Sequence, residues 1–441
     1  VSEFKKLDGN VIRLVSHLDS DGLASSSIMI KALKRNGTKF CLSTVRQLDD
    51  IVFDELRREN YPIIMFLDLG SGSLSEIDKK FGEKKVFILD HHKPEDYKPK
   101  NIFFLNPHLY EIDGSKDISC SGIVYLFAKA LDHKNMDLAH IAVIGAIGDM
   151  QEDNGFHSEL NNFILDDAVN SGKMDIKVGL KMFGMQTRPI NKVLEYSTNP
   201  YIPGVTGNEI GTRKFLDELN LNIKLDYGHY KKLVQLTHDE LKKLVTAIIL
   251  RRLGSEENPE EVLGKIYILN DEMDESPMKD AKEFSTLLNA AGRMDRPGLG
   301  ISCCLGDNDA KKEAFGLLTE YKREIINSLN WFYSNRENII EENGFVIINA
   351  EDYVKDTMIG TLGSIISKSN LYRSGTIIIT MAHTMDGNIK ISVRSAGRTE
   401  VDLRLIIKQI IDKVGGIGGG HKYAAGALIS QEKEKEFLEF A

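Results

Sequence analysis

Val11-Ile12-Arg13-Leu14-Val15-Ser16-His17-Leu18-Asp19-Ser20-Asp21-Gly22 is the stretch on which the fold turns. Its first five residues are a short run rich in β-branched side chains, which predicts a strand. After Gly22, residues 24–35 carry a helical pattern that stops at Asn36-Gly37. A strand, a polar turn and a helix make one β-loop-α unit. Working outward, Lys39–Val45, Ile63–Leu67, Val86–Leu89 and Ile102–Leu105 predict further strands, with helices near Asp49–Arg58 and Ser121–Leu131. The alternation predicts an α/β fold with a parallel, doubly wound sheet.

Acidic residues directly follow three of these strands: Asp19 and Asp21 after the first, Asp68 after Ile63–Leu67, and Asp90 after Val86–Leu89. In open α/β sheets ligands bind outside the carboxyl ends of the strands, where loops distant in sequence converge. The separate carboxylates are therefore expected to form one site.

Local geometry divides their roles. At an extended strand end alternate residues share a face, so His17, Asp19 and Asp21 are expected to face one pocket. Gly22 lets the chain turn into a helix whose N-terminus favours anions. An acidic turn that only caps a helix is the plain alternative. In Asp90-His91-His92, neighbouring histidines of an extended segment point to opposite sides. His91 is thus expected to ligate a metal and His92 to touch a scissile phosphate, with Asp90 ligating or orienting an imidazole. Asp149 ends the apolar run Gly145-Ala146-Ile147-Gly148, where a buried carboxylate at the negative end of a helix dipole calls for a cation; a solvated Asp just past the helix is the alternative.

Oxygen and nitrogen ligands without thiolates suit divalent cations, and the histidines favour Mn²⁺ over Mg²⁺. Two such ions about 4 Å apart could share Asp68 as a bridge and hold a hydroxide for in-line attack on phosphorus.

The rest of the chain sets the frame. Its 441 residues exceed one ordinary core and predict about two to four domains. No apolar stretch reaches the roughly 20 residues that span a bilayer, and no basic leader precedes one, so a cytoplasmic protein with no membrane partner is expected. Cys41, Cys120, Cys303 and Cys304 lack C-x-x-C spacing and are expected to be buried or inert thiols. The net charge of −9 argues against a nucleic-acid partner held by overall charge, but two cations would return positive charge locally.

Residues 163–343 predict mostly helix, with a Pro/Gly-rich break at 199–207 and a long helix over Glu313–Ile339 whose Trp331 is expected to be core packing. Strands resume from Gly344 and lead to Gly418-Gly419-Gly420-His421, read as a loop. The expected domains are a catalytic domain at 1–165, a mainly helical insert and core extension at 166–312, a linker helix at 313–343 and a smaller C-terminal α/β domain at 344–441.

Taken together, His17-x-Asp19-x-Asp21-Gly22, Asp68, Asp90-His91-His92 and Gly148-Asp149 resemble the four ordered motifs of the DHH phosphoesterase superfamily. Asn289-Ala290-Ala291-Gly292-Arg293 is similar to a motif of the RecJ nucleases, and Gly418-Gly419-Gly420-His421 resembles the signature of the DHH-associated C-terminal domain. Asp68-Leu69-Gly70-Ser71-Gly72-Ser73, Gly148-Asp149-Met150-Gln151-Glu152 and Thr198-Asn199-Pro200 are similar to segments of the archaeal RecJ-like branch, which includes the GINS-associated nuclease. Where bacterial members often carry Asp, this chain has His17. Bacterial members also continue into an OB-fold region after the glycine motif, so the shorter form is expected here.

The resemblance implies a single-strand-specific exonuclease in DNA replication or repair, acting on DNA or RNA, 5′-to-3′, with GINS as a partner. It assigns Arg394, Gly418, Gly419, Gly420 and His421 to the nucleic-acid backbone, and Arg293 is expected to add a phosphate contact. Free amides of a glycine segment and charge-assisted bonds from Arg394 and His421 agree with that assignment. Two alternatives stand beside it: a phosphodiesterase of short oligonucleotides or cyclic dinucleotides, and a replisome scaffold.

Overall fold

The structure is a computed structural model. It describes every residue except Asp8, Thr198, Asn222, Asp226, Tyr227, Gly228, Glu257, Asn343, Asn370 and Arg398, and for His421 the backbone alone. Thr198, the Asn343 boundary and the side chain of His421, all invoked above, lie outside the described residues. The chain divides into two compact units, Val1–Phe315 and Gly316–Ala441.

In the first unit a short helix α1 (Ser2–Lys5) precedes β1 (Ile12–His17), α2 (Ser20–Arg35), β2 (Phe40–Val45), α3 (Asp50–Arg58), β3 (Ile63–Leu67), α4 (Leu74–Phe81), β4 (Lys85–Leu89) and β5 (Ile102–Leu105). The five strands are parallel in the order β2-β1-β3-β4-β5. Residues of β3 are all buried, which explains why the sequence shows a continuous apolar run there and no alternation. On one face Val15, Ile64, Phe66, Val86 and Ile88 pack under Phe53 of α3 and Ile77 and Phe81 of α4. On the other, Phe87 meets Phe4, which in turn meets Phe127 of helix α5 (Cys120–Leu131).

Beyond α5 come α6 (Ala139–Gly148), α7 (Glu159–Asn170), β6 (Met174–Leu180), α8 (Ile190–Glu195), α9 (Glu209–Glu218), α10 (His238–Arg252), β7 (Leu263–Leu269), α11 (Ala281–Arg293), α12 (Pro297–Leu305) and α13 (Asn308–Ser334). Residues 163–343 are mostly helical, as expected, with β6 and β7, an antiparallel pair, set among the helices. Met174, Ile176, Val178 and Leu180 do alternate as a strand should, but Val178 is exposed, so no single buried face marks the segment. Residues 180–262 hold their own core, with Ile190, Leu194, Phe215, Leu244 and Ile248 buried at its centre. Asn199-Pro200 is a cis peptide.

The second unit carries β8 (Ile340–Glu342), β9 (Phe345–Asn349), α14 (Asp356–Ser367), β10 (Ile377–His383), β11 (Asn388–Ser395), α15 (Leu403–Val414), β12 (Ile417–His421), β13 (Ala424–Ser430) and α16 (Glu434–Phe440). Its six strands run in the order β12-β13-β11-β10-β9-β8. Ile379, Met381, Ile391 and Val393 face Leu403, Ile407 and Ile410 of α15. Thr380, one register step away, turns to the other face and bonds the carbonyl of Ile359 in α14.

Two readings of this half are corrected. Gly418–Gly420 is not a loop but part of strand β12, with Gly419 opposite Gly426; glycines carry no side chain to show a period, so pairing with β13 decides their conformation. Trp331 is half-buried, stacked on exposed Tyr353 at 6.1 Å and 19° between planes, and is not a core residue. Among the described residues no helix is long and apolar enough to cross a membrane.

Candidate metal centre

Register builds the centre. Ser16 pairs with Leu67 and Leu67 with Leu89, so the next residue on each strand, His17, Asp68 and Asp90, continues one row across β1, β3 and β4. The Asp68 amide still donates to Leu89 (3.0 Å) and the Asp90 amide to Leu105 (3.2 Å), which carries the ladder one step past the strands. In the strand order seen here β1 and β3 flank the point where the winding reverses, the place where such sheets bind ligands.

Asp68 sits at φ 62°, in the left-handed region. A side-chain-bearing residue there carries strain of the order of 1–3 kcal/mol, a feature that clusters at functional sites. Its Oδ1 is buried and makes no hydrogen bond. His91 Nε2 lies 3.3 Å and His92 Nδ1 3.8 Å from that oxygen, while Oδ2 is 3.6 Å from His17 Nδ1.

The first motif departs from the extended geometry expected for it, because β1 ends at His17. Asp19 is the N-cap of α2 and accepts from the Gly22 amide at 3.0 Å, and Asp21 already lies in the first turn. Asp21 turns to the N-terminus of α5, accepting from the amides of Cys120 (2.7 Å) and Ser121 (3.0 Å). Gly145 of α6 allows this approach, because a Cβ there would stand 2.6 Å from Asp21 Oδ1. Asn289 of α11 caps the other free amide, accepting from Ser20 at 3.0 Å.

Asp90-His91-His92 also departs from the expectation. The two rings do not point apart: their centroids are 4.3 Å apart and ligand atoms of Asp68, Asp90, His91 and His92 lie within 4.8 Å of one another. The reason is that the chain leaves β4 at Leu89 and bends at His92, so the alternation of a strand no longer applies. Asp90 accepts from the Ser71 amide (2.9 Å) and from His92 Nδ1 (2.7 Å). His91 Nδ1 donates to the carbonyl of Gly114 at 2.7 Å, which turns Nε2 toward Asp68.

Charge follows this geometry. Burial opposes ionisation of His91, but Asp149, Asp68 and Asp21 together outweigh it and hold its pKa well above the usual imidazole value; His17 is raised in the same way by Asp19 and Asp68. Burial is likewise overcome at Asp19 and Asp90, whose histidine partners keep both well below the carboxylate range. At Asp21 burial and the Asp68 charge push the pKa up to about 6, and at Asp149 burial pushes it to about 7. A cluster that strains its own acids in this way is what a cation relieves.

Among the described residues three groups of side chains could hold an ion: Asp68 with Asp90, His91 and His92; His17 with Asp19 and Asp68; and Asp21 with Asp68 and Cys120. All three contain Asp68. Cys120 is a poor ligand, because its thiol donates to the Leu89 carbonyl at 3.1 Å and burial raises its pKa. Asp149 lies outside these groups, 3.6 Å from His91 Nδ1. The unbonded Asp68 Oδ1 facing imidazole nitrogens, and the nitrogen and oxygen donor set, fit a divalent cation.

Of the expected phosphate contacts, Arg293 ends α11, and nearby Asp295 accepts from Arg46 at 2.9 Å. In the second unit Arg394 donates to Ser364 (3.0 Å) and to the carbonyls of Val393 (2.8 Å) and Ala425 (3.3 Å). The sequence reading missed Gly114, Asn161 and the side-chain work of Gln151 and Asn289; the last two stand in quoted motifs, which was their one signal.

The five-stranded parallel sheet with its acid and histidine row defines the class: an α/β protein with a candidate metal centre at the strand ends. Family models match the DHH family N-terminal domain at residues 11–148, the DHH-CID domain at 182–264 and the DHHA1 domain at 343–441. An uncharacterized protein of Methanocaldococcus jannaschii, MJ0831, is 33% identical over 438 residues, covering 97% of this chain and 91% of its own length. The chain belongs to the DHH superfamily and is RecJ-like.

Solved structures agree on the fold. RecJ of Thermus thermophilus in complex with Mn²⁺ superposes over the whole chain (TM-score 0.61, 16% identity), although this chain spans about half of it, 53%. Exonuclease RecJ bound to manganese matches with TM-score 0.58 at 15% identity and 91% of its length, and CDC45 of Entamoeba histolytica with 0.67 at 12% and 97%, both over all of this chain.

Proposed function

We propose that the chain is a metal-dependent phosphodiesterase that removes nucleotides from an end of single-stranded nucleic acid, DNA first and RNA as the alternative, in the 5′-to-3′ direction. The observation that carries this reading is Asp68: a strained, buried carboxylate with an unbonded oxygen, common to all the groups among the described residues that could hold an ion. His17, Asp19, Asp21, Asp68, His91 and Asp149 would hold two divalent cations, Mn²⁺ in preference to Mg²⁺. Bound there, the ions would lower the pKa of a water and neutralise charge on the phosphate.

The chain's own residues do the rest. Asp90, kept ionised, holds His92 by its Nδ1–H, and His92, with a side chain about one-third exposed, is the proposed contact to a phosphate oxygen. Arg293, Arg394, the amides of Gly418–Gly420 and His421 are the proposed backbone contacts. The RecJ folds with bound Mn²⁺ support the choice of metal and reaction class.

A replisome scaffold with GINS as partner is the second reading, favoured by the CDC45 likeness. The filled set of acids and histidines favours catalysis over a scaffold alone. Incubation with Mn²⁺ and end-labelled strands tests the reading: progressive shortening of long single strands is expected, with the 5′ label released first. Faster cleavage of dinucleotides than of long strands would favour the short-substrate alternative, and intact strands with GINS recovered in a native pull-down would favour the scaffold.

A further inference from the structure

Gln151 bonds one proposed ligand, Asp149, directly and shares the Gly114 carbonyl with another, His91. Helix α6 ends at Asp149, where the Met150 amide bonds Ile147 (3.1 Å) and the Gln151 amide bonds Ala146 (3.0 Å), the paired bonds of a Schellman turn. Glycine ordinarily takes the left-handed position of that turn. Here it is Met150, at φ 60° and with its side chain in solvent. The strained turn folds the chain back and buries Gln151.

Every polar atom of the Gln151 side chain is then used. Nε2 donates to Asp149 Oδ2 at 2.8 Å and to the Gly114 carbonyl at 2.9 Å, while Oε1 accepts from Asn161 Nδ2 of α7 at 3.0 Å. The Gly114 carbonyl is the same one that receives His91 Nδ1–H. Gly114 cannot be exchanged for a larger residue, since a Cβ there would stand 1.9 Å from the His91 carbonyl oxygen.

We infer that Gln151 is a positioning residue that sets the orientation of Asp149 and, by holding the shared Gly114 carbonyl in place, the orientation of the His91 ring, with Asn161 holding it in turn. This deepens the proposed metal centre and rests on it. An amide is the required chemistry: one nitrogen supplies two donors to two acceptors, and one oxygen takes the bond that fixes which way the group faces. A methionine matches its length and burial but donates nothing. A glutamate keeps the bond from Asn161 and sets a second carboxylate against Asp149.

The test is Mn²⁺ calorimetry on the full chain and its Gln151→Met, Gln151→Glu and Asn161→Ala variants, with thermal midpoints in chelator. Loss of a group that orients ligands typically weakens metal binding by about 10–100-fold. That loss is expected for both Gln151 variants, with a smaller one for Asn161→Ala and chelated midpoints close to wild type. Mn²⁺ affinities within about threefold of wild type in folded variants would overturn the inference while leaving the metal centre standing. If Gln151→Met does not fold, Asn161→Ala decides alone: unchanged affinity there overturns the inference. A wild-type chain that binds no Mn²⁺ sinks the metal-centre reading and this one together.

Discussion

At the scale of single residues the centre pairs Asp19 and Asp90 with histidines, while burial pushes the pKa values of Asp21 and Asp149 up. Asp19, Asp21, Asp68 and Asp90 were legible because each follows a strand, and strand ends converge whatever their distance in sequence, while Asp149 was legible as an acid ending an apolar helix. The turn of His91 and His92 toward one point was not, since a bend at His92 replaces strand geometry. Nor was Gln151, whose partners come from three separate segments.

A second buried acid, Glu283 in α11, makes a separate prediction. Burial pushes its pKa from 4.5 up to about 7, against the bonds it accepts from the Gln186 amide (2.8 Å) and Thr187 Oγ1 (2.5 Å). Between those pH values the folded chain keeps a proton that the unfolded chain has lost. Stability from the neutral acid is therefore full below about pH 4.5 and is lost as pH rises to about 7. Glu283→Gln, which can accept from the Gln186 amide, can donate to Thr187 Oγ1 and cannot ionise, should gain stability relative to wild type across that window, read from urea midpoints against pH. Parallel curves for the two proteins would refute the assignment.

At the scale of elements, helix packing fixes the first motif as firmly as the sheet does. The last turn of α11 lies against Leu18, and a Cβ on Gly292 would stand 1.8 Å from the Leu18 carbonyl oxygen. Since that atom is backbone, Gly292→Ala must displace either the motif or the helix. Overpacking of this kind costs about 1–3 kcal/mol, so a lower thermal midpoint and weaker Mn²⁺ binding are expected. A variant with wild-type values for both would show that α11 does not set the motif.

β1, β3 and β4 of the first sheet were readable because burial on both faces makes a continuous apolar run. β12 was not, because Gly418–Gly420 show no period and their partner strand alone defines them. β6 and β7 sit between: Met174–Leu180 alternates, but no buried face confirms the alternation.

At the scale of the molecule the net charge of −9 means that nucleic acid must be held by local groups, and the proposed ones fall in different units. All proposed metal ligands lie in Val1–Phe315, whereas Arg394 belongs to Gly316–Ala441. Arg394→Gln should therefore raise KM for single strands and leave Mn²⁺ affinity unchanged, with calorimetry and kinetics on the full chain as the check. A fall in Mn²⁺ affinity would show that the second unit helps to hold the metal, contrary to the account.

The central claim is that metal held through Asp68 hydrolyses phosphodiester bonds in single strands. Its most direct test is the time course of an end-labelled single-stranded oligonucleotide with the wild-type chain and Asp68→Asn, each with Mn²⁺ and with chelator. The account predicts shortening by the wild type with Mn²⁺ and in no other arm; a strand left intact there, or one shortened equally by Asp68→Asn, would contradict it.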